Sequence, residues 1–416
     1  MSIGDIPTLK SIADIVGDEV PYRISDMRGI LFTTGNSPET GVIKLSDFRG
    51  KTFRTIYKEY GEILQSGLIQ YGFYGRNIKL STDGTTVAIS RYDTATVYVY
   101  IYSGGQWSQQ AELASNPATN ITRSLSISGD GNTVVCGAWD GAYLFTRSGS
   151  QWSQKTTLFP SGYAWGGTDY GFAVSISGDG STVVVGAPYD DTGIKNSGAA
   201  YSFHSSDGWT TFTSRRILPL NYEYHILFGS SMELSHDGRR LVVGAPGGGL
   251  GNTYTYAFIY GSTGVTWNLQ KTFTSWSWSG FGSSVSLNSD GTTVAIGAPR
   301  DSILYVSTET ALSGWPDLTQ IVPVGMVSDY RFCESVSVSG DGNVIVAGAT
   351  NELNGSVYIF RKSTEWNQIN KFNGVTELGA YGYGITVSGD GSKIFVTAPA
   401  GPGGGNVYVI NTSYFV

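Results

Sequence analysis

The chain has 416 residues, with 26 Lys and Arg against 33 Asp and Glu, a net charge of −7 and only 14% charged residues. No Lys/Arg run concentrates positive charge, which excludes the basic face that nucleic acid requires. No apolar run reaches the roughly 18 residues of a membrane span, and the first 17 residues lack a basic stretch followed by an apolar one, so a soluble chain made without a signal peptide or membrane insertion is expected.

Residues 1–50 stand apart from everything that follows. Leu9 to Val16 reads as a short amphipathic helix closed by Gly17. An internal echo comes next, Ile24-Ser-Asp-Met-Arg-Gly29 and Leu45-Ser-Asp-Phe-Arg-Gly50. The phrase IKLSDFRGKTF resembles N-terminal segments of bacteriophage and large-virus structural proteins, where it precedes a variable module. The resemblance implies docking onto other virion proteins through residues 1–50; the alternative is a capping or linker segment.

From residue 51 to 416 one unit repeats seven times. Its clearest copy, VSISGDGSTVVVGAP (174–188), reads as strand, Asp-Gly turn and strand, because Asp-Gly tolerates the backbone of a tight hairpin and β-branched residues suit a pleated surface. The Asp-Gly aspartates are Asp83, Asp130, Asp179, Asp237, Asp290, Asp341 and Asp390, spaced 47 to 58 residues apart. Nine residues before six of them stands an aromatic (Tyr74, Tyr170, Phe228, Phe281, Phe332, Tyr381), followed in five cases by glycine. A third, aromatic-rich strand such as VYVYIY (97–102) follows, and a fourth is expected to begin at Trp107, Trp152, Trp209, Trp267, Trp315 or Trp366, each read as a packing residue. Four strands, a to d, in about 50 residues make one propeller blade, and seven make a closed ring. The seventh repeat lacks a fourth strand, while Thr52–Tyr60, running on to Ile63-Leu64, is an orphan one. An all-β, seven-bladed propeller is therefore expected, its last blade completed by an N-terminal strand so that no sheet edge stays open. Cys136 and Cys333 occupy repeat positions filled elsewhere by valine and glycine, so both read as buried free thiols.

With aromatic-Gly before the first strand and Gly-Ala-Pro after the second (186–188, 244–246, 297–299), residues 51–416 resemble FG-GAP repeats, known from the propeller of integrin α subunits and from microbial and viral surface proteins. The resemblance implies adhesion or recognition, and it raises calcium, which that family often holds in the a–b loop. Here those loops read STDG, SGDG, SHDG or NSDG, one carboxylate apiece, too few for a calcium ion's six to eight oxygens. The remaining calcium candidate is the b–c loop with Asp190, Asp191 and Asn196, whose alternative is an Asx-stabilised turn.

Because strands in a blade alternate direction, a–b and c–d loops fall on one face and b–c and d–a loops on the other. The d–a loops are long, unlike one another and aromatic: PSGYAWGGTDY (160–170), PLNYEYHIL (219–227), TSWSWSG (274–280). Candidate ligand-binding residues are accordingly Tyr163, Trp165, Tyr222, Tyr224, Trp276 and Trp278, with Trp139 from a b–c turn. The alternative is that these rings fold back over gaps between blades. His204, His225 and His236 lie in different contexts and assemble no triad or metal set. The S-x-D-G-x-T phrase is similar to the Asp-box of sialidase propellers, but Asp directly precedes Gly here and no cluster of arginines for a carboxylated sugar is evident. The expected function is therefore non-enzymatic: attachment to a host glycan or receptor, or a structural role, on a virion. The alternative is a cell-surface or extracellular adhesion or carbohydrate-binding protein.

Overall fold

A computed structural model describes residues 31–32, 53–54 and 61–63 by their backbone, and residues 74–412 apart from 116–120, 161–167, 192–193, 221–222, 248–253, 265, 277, 327–330, 353, 375–379 and 400–404. The chain divides into two compact units, residues 1–60 and residues 61–415. In the first, Leu31–Phe32 pairs antiparallel with Phe53–Arg54; the expected helix at Leu9 to Val16 lies outside the described residues.

The second unit is the seven-bladed propeller, and every blade is a four-stranded antiparallel sheet in the order a-b-c-d. Blade 3 shows the pattern: a, Val174–Ile176; b, Thr182–Ala187; c, Ala199–His204; d, Thr213–Ile217. Blades 1 and 2 occupy 74–113 and 124–158, and blades 4, 5 and 6 occupy 231–276, 284–321 and 332–373. Blade 7 takes its strands a, b and c from 385–411 and its fourth strand from Gly61–Ile63, which pairs with Val407–Val409. An N-terminal strand does complete the last blade, through 61–63 at the end of the expected stretch, while Phe53–Arg54 near its start pairs with Leu31–Phe32; residues 55–60 lie outside the described residues.

The apolar core lies between blades. Strand b is buried along its whole length in most blades, and each described core cluster combines side chains of two neighbours, as where Val135, Leu144 and Leu158 of blade 2 meet Tyr170, Val174 and Phe203 of blade 3. Non-directional burial of this kind is what holds blade to blade. The six tryptophans belong to these seams: Trp209 and Trp315 are buried and the other four half-buried. Trp107 packs edge-on against Phe395 of blade 7 at 5.3 Å, and Trp152 Nε1 donates to Gln110 Oε1 of blade 1 at 2.9 Å. Trp209 and Trp315 precede their d strands rather than opening them, since the c–d connections of blades 3 and 5 are longer than expected.

The two recurrent motifs interlock across these seams. The aromatic sinks into the core (Tyr170, Phe228, Phe281 and Phe332 are all buried) and the following residue turns left-handed. A Cβ added at Gly186, in the Gly-Ala-Pro of blade 3, would fall onto the carbonyl oxygen of Gly229, in the Phe-Gly of blade 4. Gly244 bears the same relation to Gly282. Hydroxyls stitch the same seam: Ser231 Oγ donates to Gly282 O at 2.7 Å and Ser284 Oγ to Cys333 O at 2.7 Å. Cys333 accepts the left-handed backbone at φ 60° and, like Cys136, is a buried free thiol whose pKa burial pushes up.

Candidate functional site

Seven strands a, one from each blade, surround the axis. As the innermost strand, each leaves backbone N–H groups without a partner in its own sheet, and buried donors of that kind must be satisfied. A polar column does it: the N–H groups of Ile176, Leu234 and Val338 donate to Ser126, Ser175 and Ser286 of the preceding blade at 3.0–3.1 Å. In blade 4 the column holds Glu233, whose Oε2 accepts from Leu287 N at 3.2 Å while Oε1 pairs with Lys79 Nζ of blade 1 at 3.1 Å. Blades 1 and 4 stand on opposite sides of the ring, so this ion pair bridges the axis.

Past the bridge, toward the a–b turns, lies a small chamber of about 100 Å³. Its end is a closed circle of backbone hydrogen bonds, one per blade junction. The donors and acceptors run Thr82→Gly129, Gly129→Gly178, Asp179→His236, His236→Ser289, Ser289→Gly340, Asp341→Gly389 and Gly389→Thr82, at 2.8–3.2 Å. These residues belong to the S-x-D-G turns. The x residues are complementary across the junctions: His236 and Thr82, the larger ones, each face a glycine, since a Cβ at Gly178 would collide with the imidazole of His236 and one at Gly389 with Thr82. Each aspartate is used within its own turn: Asp83 Oδ1 accepts from Ser81 Oγ at 2.5 Å and Thr85 N at 3.0 Å. Burial works against ionisation of Asp83, Asp130, Asp179, Asp290 and Asp390, yet these hydrogen bonds outweigh it and hold all five below the usual aspartate value.

The opposite face opens into a funnel of about 700 Å³ lined by the strand a region of all seven blades and by two b–c turns, through Tyr92 and Trp139. In six of the seven blades its lining includes the residue after the aromatic-Gly pair or its equivalent: Arg76, Arg123, Phe172, Ser283, Glu334 and Tyr383. Arg123 lies 3.5 Å from the centre of the Trp139 ring and 4.8 Å from that of Phe172, and its Nη2 donates to Asp169 Oδ2 at 2.6 Å. A guanidinium held against aromatic faces and a carboxylate is fixed in orientation. Arg76 sits 4.7 Å over Tyr92. Glu334 is paired with Arg331 at 3.1 Å and accepts from Thr350.

The expected ligand-binding residues divide. Trp139 joins the funnel, 62% exposed beside Arg123 and Phe172. Trp276 and Trp278 are 70% and 75% exposed but line no part of the funnel; Trp276 is the last residue of its strand d, opposite Tyr254 of strand c, with ring centres 5.7 Å apart. Trp276 thus closes a strand rather than standing in a d–a loop. Tyr224 is exposed. Tyr163, Trp165 and Tyr222 lie outside the described residues. Of the calcium candidates, Asp190 is buried and its two oxygens accept from Tyr201 Oη at 2.7 Å and Arg216 Nη2 at 2.6 Å. Asp191 Oδ1 accepts from Asn196 N at 2.8 Å, and the Asn196 side chain meets His225 Nδ1 at 2.9 Å. A guanidinium on Asp190 occupies the place a cation would need. Buried acid–tyrosine pairs recur under the same face, as in Glu352–Tyr358 at 2.6 Å with Lys371, and are interior braces.

Arg76, Arg123, Tyr92 and Phe172 were not among the residues expected from sequence. The signal for Arg76, Arg123 and Phe172 is the repeat column after aromatic-Gly or its equivalent, the most varied position of an otherwise regular strand a; Tyr92, in a b–c turn, carries none.

Comparison with known proteins agrees on the scaffold. Residues 152–203, from strand d of blade 2 to strand c of blade 3, match the FG-GAP repeat family. No curated protein sequence matches the chain. Among solved structures it is similar to the β-propeller domain of Cps50 (Swd1) from Myceliophteria thermophila, at 15% identity and TM-score 0.58, covering 82% of this chain and 98% of that one. It is also similar to hydrazine synthase from Kuenenia stuttgartiensis, at 14% identity and TM-score 0.57, covering 85% and 98%. A chain of the mitotic checkpoint complex matches at 14% and TM-score 0.53, covering 84% and 92%. At such identities the likeness is one of fold, and with the seven four-stranded sheets and the matched repeat it makes this chain a seven-bladed β-propeller carrying an FG-GAP repeat.

Proposed function

We propose that the propeller is a non-enzymatic recognition module whose d–a and b–c face attaches to a host receptor or glycan, and that residues 1–50 dock it onto other proteins of a virion. The observation that carries the reading is the inequality of the two ends of the axis. One end is shut by near-identical turns, whereas the other is a funnel with exposed aromatics, the usual form of a site on a rigid scaffold. The acidic groups described near that face are engaged in bracing, Asp169 by Arg123, Asp190 by Arg216 and Glu352 by Lys371, rather than presented as a pair for proton transfer. The phage-like phrase at 43–53 favours a virion over a free adhesion protein.

The test is binding of the full chain to a broad glycan array and to candidate host cells, beside Trp139→Ala. Binding weakened by Trp139→Ala at an unchanged melting temperature supports attachment through the funnel face; no binding to any surface overturns it. Particles assembled with a chain lacking residues 1–50 should lose the protein. A free adhesion protein would bind as before without them.

A further inference from the structure

We infer that the funnel takes a carboxylated oligosaccharide, its acid group on Arg76 and a sugar ring on Trp139. This rests on the attachment reading and names the ligand of the same site. The argument starts from charge. The ionised side chains lining the funnel are Arg76, Lys79, Arg123, Asp169 and Glu334. Lys79 is paired with Glu233, Arg123 with Asp169, and Glu334 with Arg331. Arg76 remains: it is exposed, steadied by the Tyr92 ring, and engaged by no hydrogen bond or ion pair among the described residues. In a chain of net charge −7 the funnel therefore presents one uncompensated guanidinium, and a planar fork of donors suits a carboxylate, which it grips with two parallel hydrogen bonds.

The walls decide what carries the acid. Trp139 has one face covered by Arg123 and remains 62% exposed, so an aromatic surface stays available beside the charge. Around the rim stand Asn77, Ser283 and Ser284, whose donors are committed to Thr122 O, Gly280 O and Cys333 O and whose side-chain oxygens keep lone pairs that can accept from sugar hydroxyls. A volume of about 700 Å³ holds a short oligosaccharide. An acidic peptide would also satisfy Arg76, but a stacking platform among small polar groups fits a pyranose ring better than an extended backbone. Arg123 is a positioning residue here, because it fixes Trp139 and is itself neutralised by Asp169.

The test measures binding of the full chain to oligogalacturonate and sialyl-lactose beside their carboxyl-reduced forms, with sulfated glycans and Asp/Glu-rich peptides as further arms. We expect the carboxylated sugars to bind, the reduced forms to bind at least about tenfold more weakly, and Arg76→Gln to lose a similar factor. Binding should weaken with salt, and Trp139→Ala should weaken it while Trp278→Ala does not. Equal affinity for acid and reduced sugars with Arg76→Gln unchanged, or a preference for sulfated glycans or acidic peptides, overturns this inference and leaves attachment standing. Absence of binding to every glycan and cell surface removes the attachment reading itself. Arg76 is exposed, so unaltered melting of Arg76→Gln separates lost recognition from lost fold.

Discussion

The two ends of the propeller axis are made from the same seven strands, yet one is uniform and the other varied. At the a–b end, seven turns donate backbone hydrogen bonds to one another in a circle, and any residue larger than the ring tolerates displaces its neighbour. At the d–a end the axis opens into the funnel, and the residue after aromatic-Gly changes from arginine to phenylalanine, serine, glutamate and tyrosine. Repetition marks where backbones touch; divergence marks where they do not.

The contrast is broken most severely at the blade seams. Gly186→Ala places a methyl on the Gly229 carbonyl oxygen, backbone that cannot step aside, and should cost about 2–3 kcal/mol in urea unfolding. Gly104→Ala, in a c–d turn whose backbone is left-handed (φ 61°) but which has nothing within 4 Å, carries strain without collision and should cost only about 1–2 kcal/mol. Gly186 is outside the left-handed region, so its loss reports collision alone; a loss no larger than that of Gly104→Ala would mean that the neighbouring blade gives way and the seam is not interlocked.

Acid should loosen the uniform end selectively. The five turn aspartates have folded pKa values below the ordinary 3.8, so their contribution is complete above that value and fades as pH falls through the lower folded values. The melting temperature should therefore drop as pH falls below the ordinary aspartate value of 3.8, and a chain with these five aspartates changed to asparagine should start lower and show a shallower drop. An unchanged slope would show that the carboxylates contribute through turn geometry alone.

The smallest effect sharpens the role of the x position. Gly178→Ala should cost about 1 kcal/mol because its methyl meets the His236 ring, and adding His236→Gly should recover most of that loss. Additive losses would place the constraint in the backbone circle rather than in the side chain across it.

Much of the scaffold was legible from residues 51–416. The Asp-Gly turns, the β-branched runs and the aromatic strands carry strong local preferences, and their spacing alone implies seven blades. The N-terminal closing strand follows from an unpaired seventh repeat and the orphan stretch that ends in Ile63-Leu64; which part of that stretch pairs, Gly61–Ile63 with 407–409, is decided only by the ring. The site was read less well. Exposed loop tryptophans signal a surface, and Trp139 does reach the funnel. Arg76 and Arg123, 47 residues apart in the chain, become adjacent only when blades 1 and 2 stand side by side.

Local chemistry, repeated at a constant interval, was therefore enough to determine strands, turns and blade number, because each depends on a few neighbouring residues. The closed circle of turns, the Lys79–Glu233 bridge and the arginine-bearing funnel depend on groups brought together from different blades, and they exist only once the ring has closed around its axis.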